Sequence, residues 1–174
     1  MAVYIWSDFH LWHENIIKYE NRPFKDVIEM NKTILENWRN TISSQDIVFN
    51  LGDVGFGNKE NLSVIKNMPG HKILILGNHD KSRSAKWWLD VGFDEVYRYP
   101  IIYEEFYILS HEPLYINDHM PYVNLHGHTH SEPPGNKYKL NMCVEHTDYK
   151  PVPFENIKKH FKHVNSIISA DEEE

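Results

Sequence analysis

Cysteine is almost absent from these 174 residues. Cys143 stands alone, so no internal disulfide can form and nothing calls for an oxidising compartment. Its plain reading is a small buried apolar residue. Basic residues are also in short supply, 18 against 25 acidic ones, for a net charge of −7. Long-range repulsion then disfavours a general nucleic-acid or anionic-membrane binder, although Glu172, Glu173 and Glu174 exaggerate the sign. No apolar run reaches the length of a membrane helix or a signal-peptide core, because the opening Val3-Tyr4-Ile5-Trp6 turns polar at Ser7 and Asp8. A cytoplasmic protein without membrane partners is the expectation. Internal repeats, low-complexity linkers and a second domain boundary are missing too. One domain over 1–168 is expected, followed by a disordered acidic tail over 169–174.

Hydrophobic residues make up 41% and aromatics 13%, enough to fill a core. Short apolar runs at 3–6, 47–49, 73–76, 106–109 and 122–125 read as buried strands. Over 26–42, Val27, Met30, Ile34, Trp38 and Ile42 recur at helical spacing and form one apolar stripe. Further helices are expected over 58–67, stopped by Pro69-Gly70, over 84–91, stopped by Gly92, and over 154–163. The adjacent Trp87 and Trp88 read as a helix packing face in preference to a base-stacking wall. The first half thus alternates strand and helix, and the second half is rich in strands.

Twelve histidines are the first positive anomaly. The polar residues able to bind metal follow the strands directly: Asp8-Phe9-His10, Gly52-Asp53, Gly77-Asn78-His79-Asp80, Ser110-His111 and His126-Gly127-His128-Thr129-His130. Each cluster alone is weak evidence, since Asn and Asp are ordinary turn residues. Five of them at the carboxyl ends of five strands, where α/β sheets bind ligands, point jointly to a metal site.

In that order the clusters resemble the calcineurin-like metallophosphoesterase superfamily, closest to its small prokaryotic and phage-type members. His13-Glu14-Asn15-Ile16-Ile17, Arg22-Pro23-Phe24, 141–145 and Pro151-Val152-Pro153 extend the likeness. The resemblance implies two packed mixed β-sheets flanked by helices, an αββα sandwich, with a dinuclear metal site at the strand ends. It implies one ion held by Asp8, His10, Asp53 and His130, and another by Asp53, Asn78, His111 and His128. Asp53 would be the shared carboxylate, since dications about 3.5–4 Å apart need an anion between them. Mixed imidazole and oxygen ligands suit manganese first, with iron, nickel or zinc as alternatives, over calcium. Two carboxylates against two dications would leave positive charge for a phosphate.

The implied activity is hydrolysis of phosphate esters by in-line attack of a metal-bridging hydroxide, with His79 protonating the leaving oxygen. A phosphodiesterase acting on a small or nucleotide-type ester is preferred, because the short chain shows no cap or docking insert. The alternatives are a catalytically weak binding or scaffold module of the same fold, a phosphomonoesterase, or a nuclease. Phe56 and Gly57 stand where protein serine/threonine phosphatases carry Asp and Arg, which argues against that branch and leaves the group orienting His79 open. Asp80 is adjacent in sequence, but neighbouring side chains need not meet. His13 is a candidate to face the site, against an exposed histidine at a helix start. Arg22 is a candidate to grip a substrate phosphate, against a surface arginine packing its stem. His126 reads as a hydrogen-bonded core histidine, with a place behind the ligands as the alternative.

Overall fold

Tyr4 and Trp6 point to one side of the first strand and Ile5 to the other, and both sides are buried. That alternation recurs through the first half and divides the hydrophobic residues between two cores. The computed structural model describes residues 1–171, with side chains through Lys162. Its elements run β1 (Val3–Trp6), α1 (Glu14–Tyr19), α2 (Val27–Thr41), β2 (Ile47–Asn50), α3 (Lys59–Leu62), β3 (His71–Ile75), α4 (Ala85–Val91), β4 (Glu95–Tyr97) and β5 (Ile101–Tyr103). They continue with β6 (Tyr107–Leu109), β7 (Val123–His126), β8 (Gly135–Asn136), β9 (Lys139–Asn141), β10 (Val152–Pro153) and α5 (Phe154–Asp171).

Two mixed five-stranded sheets result. In the first, β1, β2, β3 and β4 run parallel, and β10 closes the β1 edge antiparallel. In the second the order is β5-β6-β7-β9-β8, with β6, β7 and β9 parallel and the edges antiparallel. Ile5, Phe49, Ile73 and Ile75 face Tyr107, Leu109, Val123 and Leu125 across the gap, and Phe154, Ile157 and Phe161 of α5 join that core. Trp6, Val48 and Leu74 face the other way, toward Met30, Ile34 and Trp38 of α2 and Trp88 of α4. Trp6 packs edge-on against Phe9 at 4.2 Å and Trp38 at 5.5 Å, a geometry that suits aromatic quadrupoles.

The helix starts are chemically capped. Asp26, Asn58 and Ser84 each accept the backbone N–H three residues on, so the helices begin one residue later than the apolar pattern suggests. The segment expected as one helix over 58–67 is a single α-turn, α3, continued as 3₁₀ over Ser63–Asn67. Helix α5 runs past its expected end at 163 to Asp171, and 172–174 of the expected tail lie outside the described residues.

Candidate metal centre

The loop leaving β1 is zipped to the loop leaving β2. Asp8 N–H donates to Gly52 O, His10 N–H to Asp53 O and Leu11 N–H to Val54 O, each at 3.0 Å. Ser7 bridges to Cys143 on its other side, so the segment after β9 also joins this end of the sheets. The turns are tight enough that Asp8, His10, Asp53, His128 and His130 all adopt left-handed backbone, with φ between 43° and 71°. Asp and His tolerate that region better than most residues, yet such strain concentrates where a site is being shaped. Two glycines make the approach possible. A Cβ at Gly127 would collide with the Asp8 carboxylate and Ser7 Oγ, and one at Gly77 with the Asp53 carboxylate.

These turns bring all seven expected ligands together. His10 Nε2 and His130 Nε2 stand 3.8 and 3.7 Å from Asp8 Oδ1, and His10 Nε2 is 3.6 Å from Asp53 Oδ2. On the other side of Asp53, the same Oδ2 lies 3.5 Å from His111 Nε2. His111 Nε2 and His128 Nδ1 then converge on Asn78 Oδ1 at 2.8 and 3.0 Å, and on each other at 3.2 Å. Two groups therefore meet at one carboxylate oxygen.

The donor atoms fit a pair of cations. His111 Nδ1 donates to Leu51 O at 2.8 Å, which leaves Nε2 as a lone pair facing the lone pairs of Asn78 Oδ1. His130 Nδ1 faces the Glu145 carboxylate at 3.1 Å, which likewise leaves Nε2 as an acceptor toward Asp8. Asp8 Oδ1 and His10 Nε2 are buried without a hydrogen-bond partner among the described residues. Electrostatics agree. Burial, with Asp8 and Asp80 close by, pushes the Asp53 carboxyl up to about 9, which expresses a demand for nearby positive charge. Burial lowers His10 to about 4 and also lowers His111, so these imidazoles are neutral and ready to ligate at physiological pH.

Comparison with known proteins settles the lineage. The family model for calcineurin-like phosphoesterase matches residues 1–172. The chain belongs to that family. It is a metal-dependent phosphoesterase, a hydrolase of phosphoric ester bonds, from a family that uses divalent ions. It is 36% identical over 170 residues to the uncharacterized protein MJ1445 of Methanocaldococcus jannaschii, covering 90% of this chain and 89% of that one. It is 30% identical to the Gene 66 protein of Mycobacterium phage L5, covering 72% and 75% of the two chains. Among solved structures, the protein of unknown function AQ665 from Aquifex aeolicus superposes with a TM-score of 0.71 at 29% identity, covering 91% of this chain and 98% of that one.

The four other residues singled out from the sequence support this calcineurin-like centre in different ways. Arg22 is no surface residue, and it is not free to grip a phosphate. It is 4% exposed, and Nε and Nη2 donate to Glu145 Oε1 at 2.9 and 2.7 Å while Nη1 and Nη2 donate to the carbonyls of Phe9 and Asp8. It clamps the Asp8 turn. Asp80 is buried beneath the centre, accepting the N–H groups of Asp53, Val54 and Gly77. It shapes the Asp53 turn, and its carboxylate makes no hydrogen bond to the His79 ring among the described residues. His126 is buried with Nδ1 on Gly127 O at 2.8 Å, as a core histidine would be. His13 is half-buried and places Nδ1 3.2 Å from His10 Nδ1, which holds the His10 ring from behind.

His79 hangs at the open side of Asp53. Its N–H donates to Asp53 Oδ1 at 3.1 Å and its Nε2 stands 3.9 Å from Oδ2. No side chain among the described residues hydrogen-bonds the ring; instead the Phe56 ring lies 4.8 Å away. Phe56 also stacks on His10 at 5.6 Å and packs against His13 at 4.1 Å, a role the sequence did not suggest. Glu145 was missed as well. Its only signal was an acidic residue in the 141–145 stretch, and it joins His130 to Arg22, adding a buried carboxylate that the count of two ligand carboxylates overlooked.

Proposed function

We propose that this phosphoesterase is a phosphodiesterase for a small or nucleotide-type ester, working with two divalent ions, manganese first among them. Asp8, His10 and His130 would hold one ion and Asn78, His111 and His128 the other, with Asp53 between. Ions held there would polarise the phosphoryl oxygens and lower the pKa of an attacking water. The chain's own part is positional. Asp53 and Asp8 fix the spacing, Arg22 and Glu145 hold the Asp8 turn and His130, and His79 delivers a proton to the leaving oxygen from the exposed side of Asp53.

The observation that carries the diester reading is room on two sides. One open cavity of about 240 Å³ reaches Asn78 and His79, and another of about 370 Å³ reaches His111. Each cavity thus borders one member of a touching pair of candidate ligands, Asn78 Oδ1 and His111 Nε2. In this reading each cavity takes one substituent of the phosphorus. A larger cavity of about 490 Å³, lined by the 113–118 segment with Asn136, Tyr138 and Lys139, contains no candidate ligand and is not the reaction site.

No helix among the described residues is long and apolar enough to cross a membrane. We place the protein in the cytoplasm on its lone cysteine, and its net charge of −7 favours a small substrate over a nucleic acid. The test is hydrolysis of bis-p-nitrophenyl phosphate and p-nitrophenyl phosphate with added manganese, followed by a panel of cyclic nucleotides, dinucleotides and pyrophosphates. The reading expects a higher kcat/KM on the diester. A consistent preference for monoesters overturns it.

A further inference from the structure

The cavity beside His79 has an asymmetric chemistry. It is lined by Asn78 and His79, by Gly55 and Phe56, and by Ser82 and Arg83. Arg83 is half-buried and held in place, because Nη2 donates to Gly57 O at 2.8 Å and Cζ sits 4.1 Å over the Trp87 ring. Stacking on the indole and one carbonyl bond fix the guanidinium plane while leaving Nε and Nη1 without a partner among the described residues. It enters no ion pair among them either. A fixed, uncompensated guanidinium facing a cavity is notable in a chain of net charge −7, where exposed lysines such as Lys59 and Lys86 have found carboxylates.

Phe56 adds the second half of the argument. It is 42% exposed, yet its position is set by three imidazoles, His10, His13 and His79, so it offers a rigid apolar face to whatever enters. A ring wall and a guanidinium lining one cavity suit an organic group that carries an anion.

We propose that this cavity is the leaving-group subsite, and that it selects phosphate esters whose departing alcohol carries its own anionic group, a carboxylate or a second phosphate, bound by Arg83. The inference rests on the phosphoesterase reading and on His79 facing the leaving oxygen. In the reaction a water oxygen bonds to phosphorus as the bond to the alcohol oxygen breaks. The alcohol leaves with a proton from His79, and the water proton passes to solvent. Arg83 takes no part in that exchange; it holds the alcohol end-on along Phe56. The Phe56 wall contributes contact area and the guanidinium contributes the choice of partner.

Two coloured diesters with the same phosphoryl side separate the possibilities: 4-nitrophenyl phenyl phosphate, and the analogue whose nitrophenol bears a carboxylate meta to its oxygen. Wild type with manganese should favour the carboxylated ester in kcat/KM. Arg83→Ala should lose at least about ten times more activity on that ester than on the neutral one, and Arg83→Lys should recover part of the difference. As a check that needs no variant, the carboxylated phenol should inhibit wild type competitively at lower concentration than 4-nitrophenol does. Equal losses on both esters, or equal inhibition by both phenols, overturn the subsite. If wild type hydrolyses neither ester, the phosphodiesterase reading itself fails, a different outcome from hydrolysis of both without discrimination.

Discussion

Glu145 and His130 face each other inside the protein, with Oε1 3.1 Å from Nδ1, and the contact directs His130 Nε2 toward Asp8. Burial lowers the His130 pKa, but the hydrogen bond that Nδ1–H donates to Glu145, with the Asp8 charge, raises it overall, which makes the ring more basic and a stronger donor to a cation. The same oxygen receives two Arg22 bonds, so one carboxylate links a candidate ligand to the Asp8 turn. Glu145→Gln should therefore weaken metal affinity by about 10- to 100-fold with little change in the fold. Manganese titration by calorimetry reads the affinity. Wild-type affinity in the variant would mean that Glu145 is only an internal counter-ion for Arg22.

Removing the whole side chain should be worse for stability. Glu145→Ala leaves the buried Arg22 guanidinium without its carboxylate, a loss on the order of 3–5 kcal/mol. Denaturant unfolding in the presence of chelator separates this from lost metal binding. A change below about 1 kcal/mol would show that the backbone carbonyls of Asp8 and Phe9 suffice for Arg22.

His79 should separate proton delivery from metal binding. His79→Ala is expected to keep its metal content while turnover of an ester with an alkoxide leaving group falls by about two to four orders of magnitude. With p-nitrophenolate, which departs without a proton, the loss should be much smaller. The ratio of the two losses in one preparation is the informative quantity. An equal loss on both means that His79 steadies the phosphate through its place beside Asp53 and is not the proton donor.

These side chains mark the limit of what the sequence tells. Asp8, Asp53, Asn78 and the candidate ligand histidines were legible because each follows an apolar run, and parallel strands carry such residues to a common edge. The strands at the sheet edges were not, since β8 and β10 have two residues each and no periodicity to read. Arg22 was ambiguous for a different reason: its partners Asp8 O, Phe9 O and Glu145 come from both ends of the chain, and burial of a charge shows only when the partner is known. Phe56 and Arg83 sit in loops, where local sequence carries no period at all.

Asp46 offers a test away from the centre. The Ala2 N–H, followed by the Ser43 hydroxyl and N–H, bonds its carboxylate and holds its pKa down to about 2 from the ordinary 3.8. A lowered folded-state pKa means stability present above about pH 4 and lost as pH falls through about 2. The stability gap between wild type and Asp46→Asn should therefore be constant near neutrality and close between pH 4 and 2. A gap that stays the same through that window would contradict the assignment.

Asp53 Oδ2 lies within 3.6 Å of both His10 Nε2 and His111 Nε2. Asp53→Asn keeps the shape but removes the shared anion, so repulsion between two cations is no longer screened. The decisive measurement is metal content per chain in the purified variant, by elemental analysis after dialysis, beside diesterase turnover. Loss of both ions together with activity is the predicted result. Two ions retained per chain at wild-type affinity would contradict the bridging role and with it the dinuclear centre.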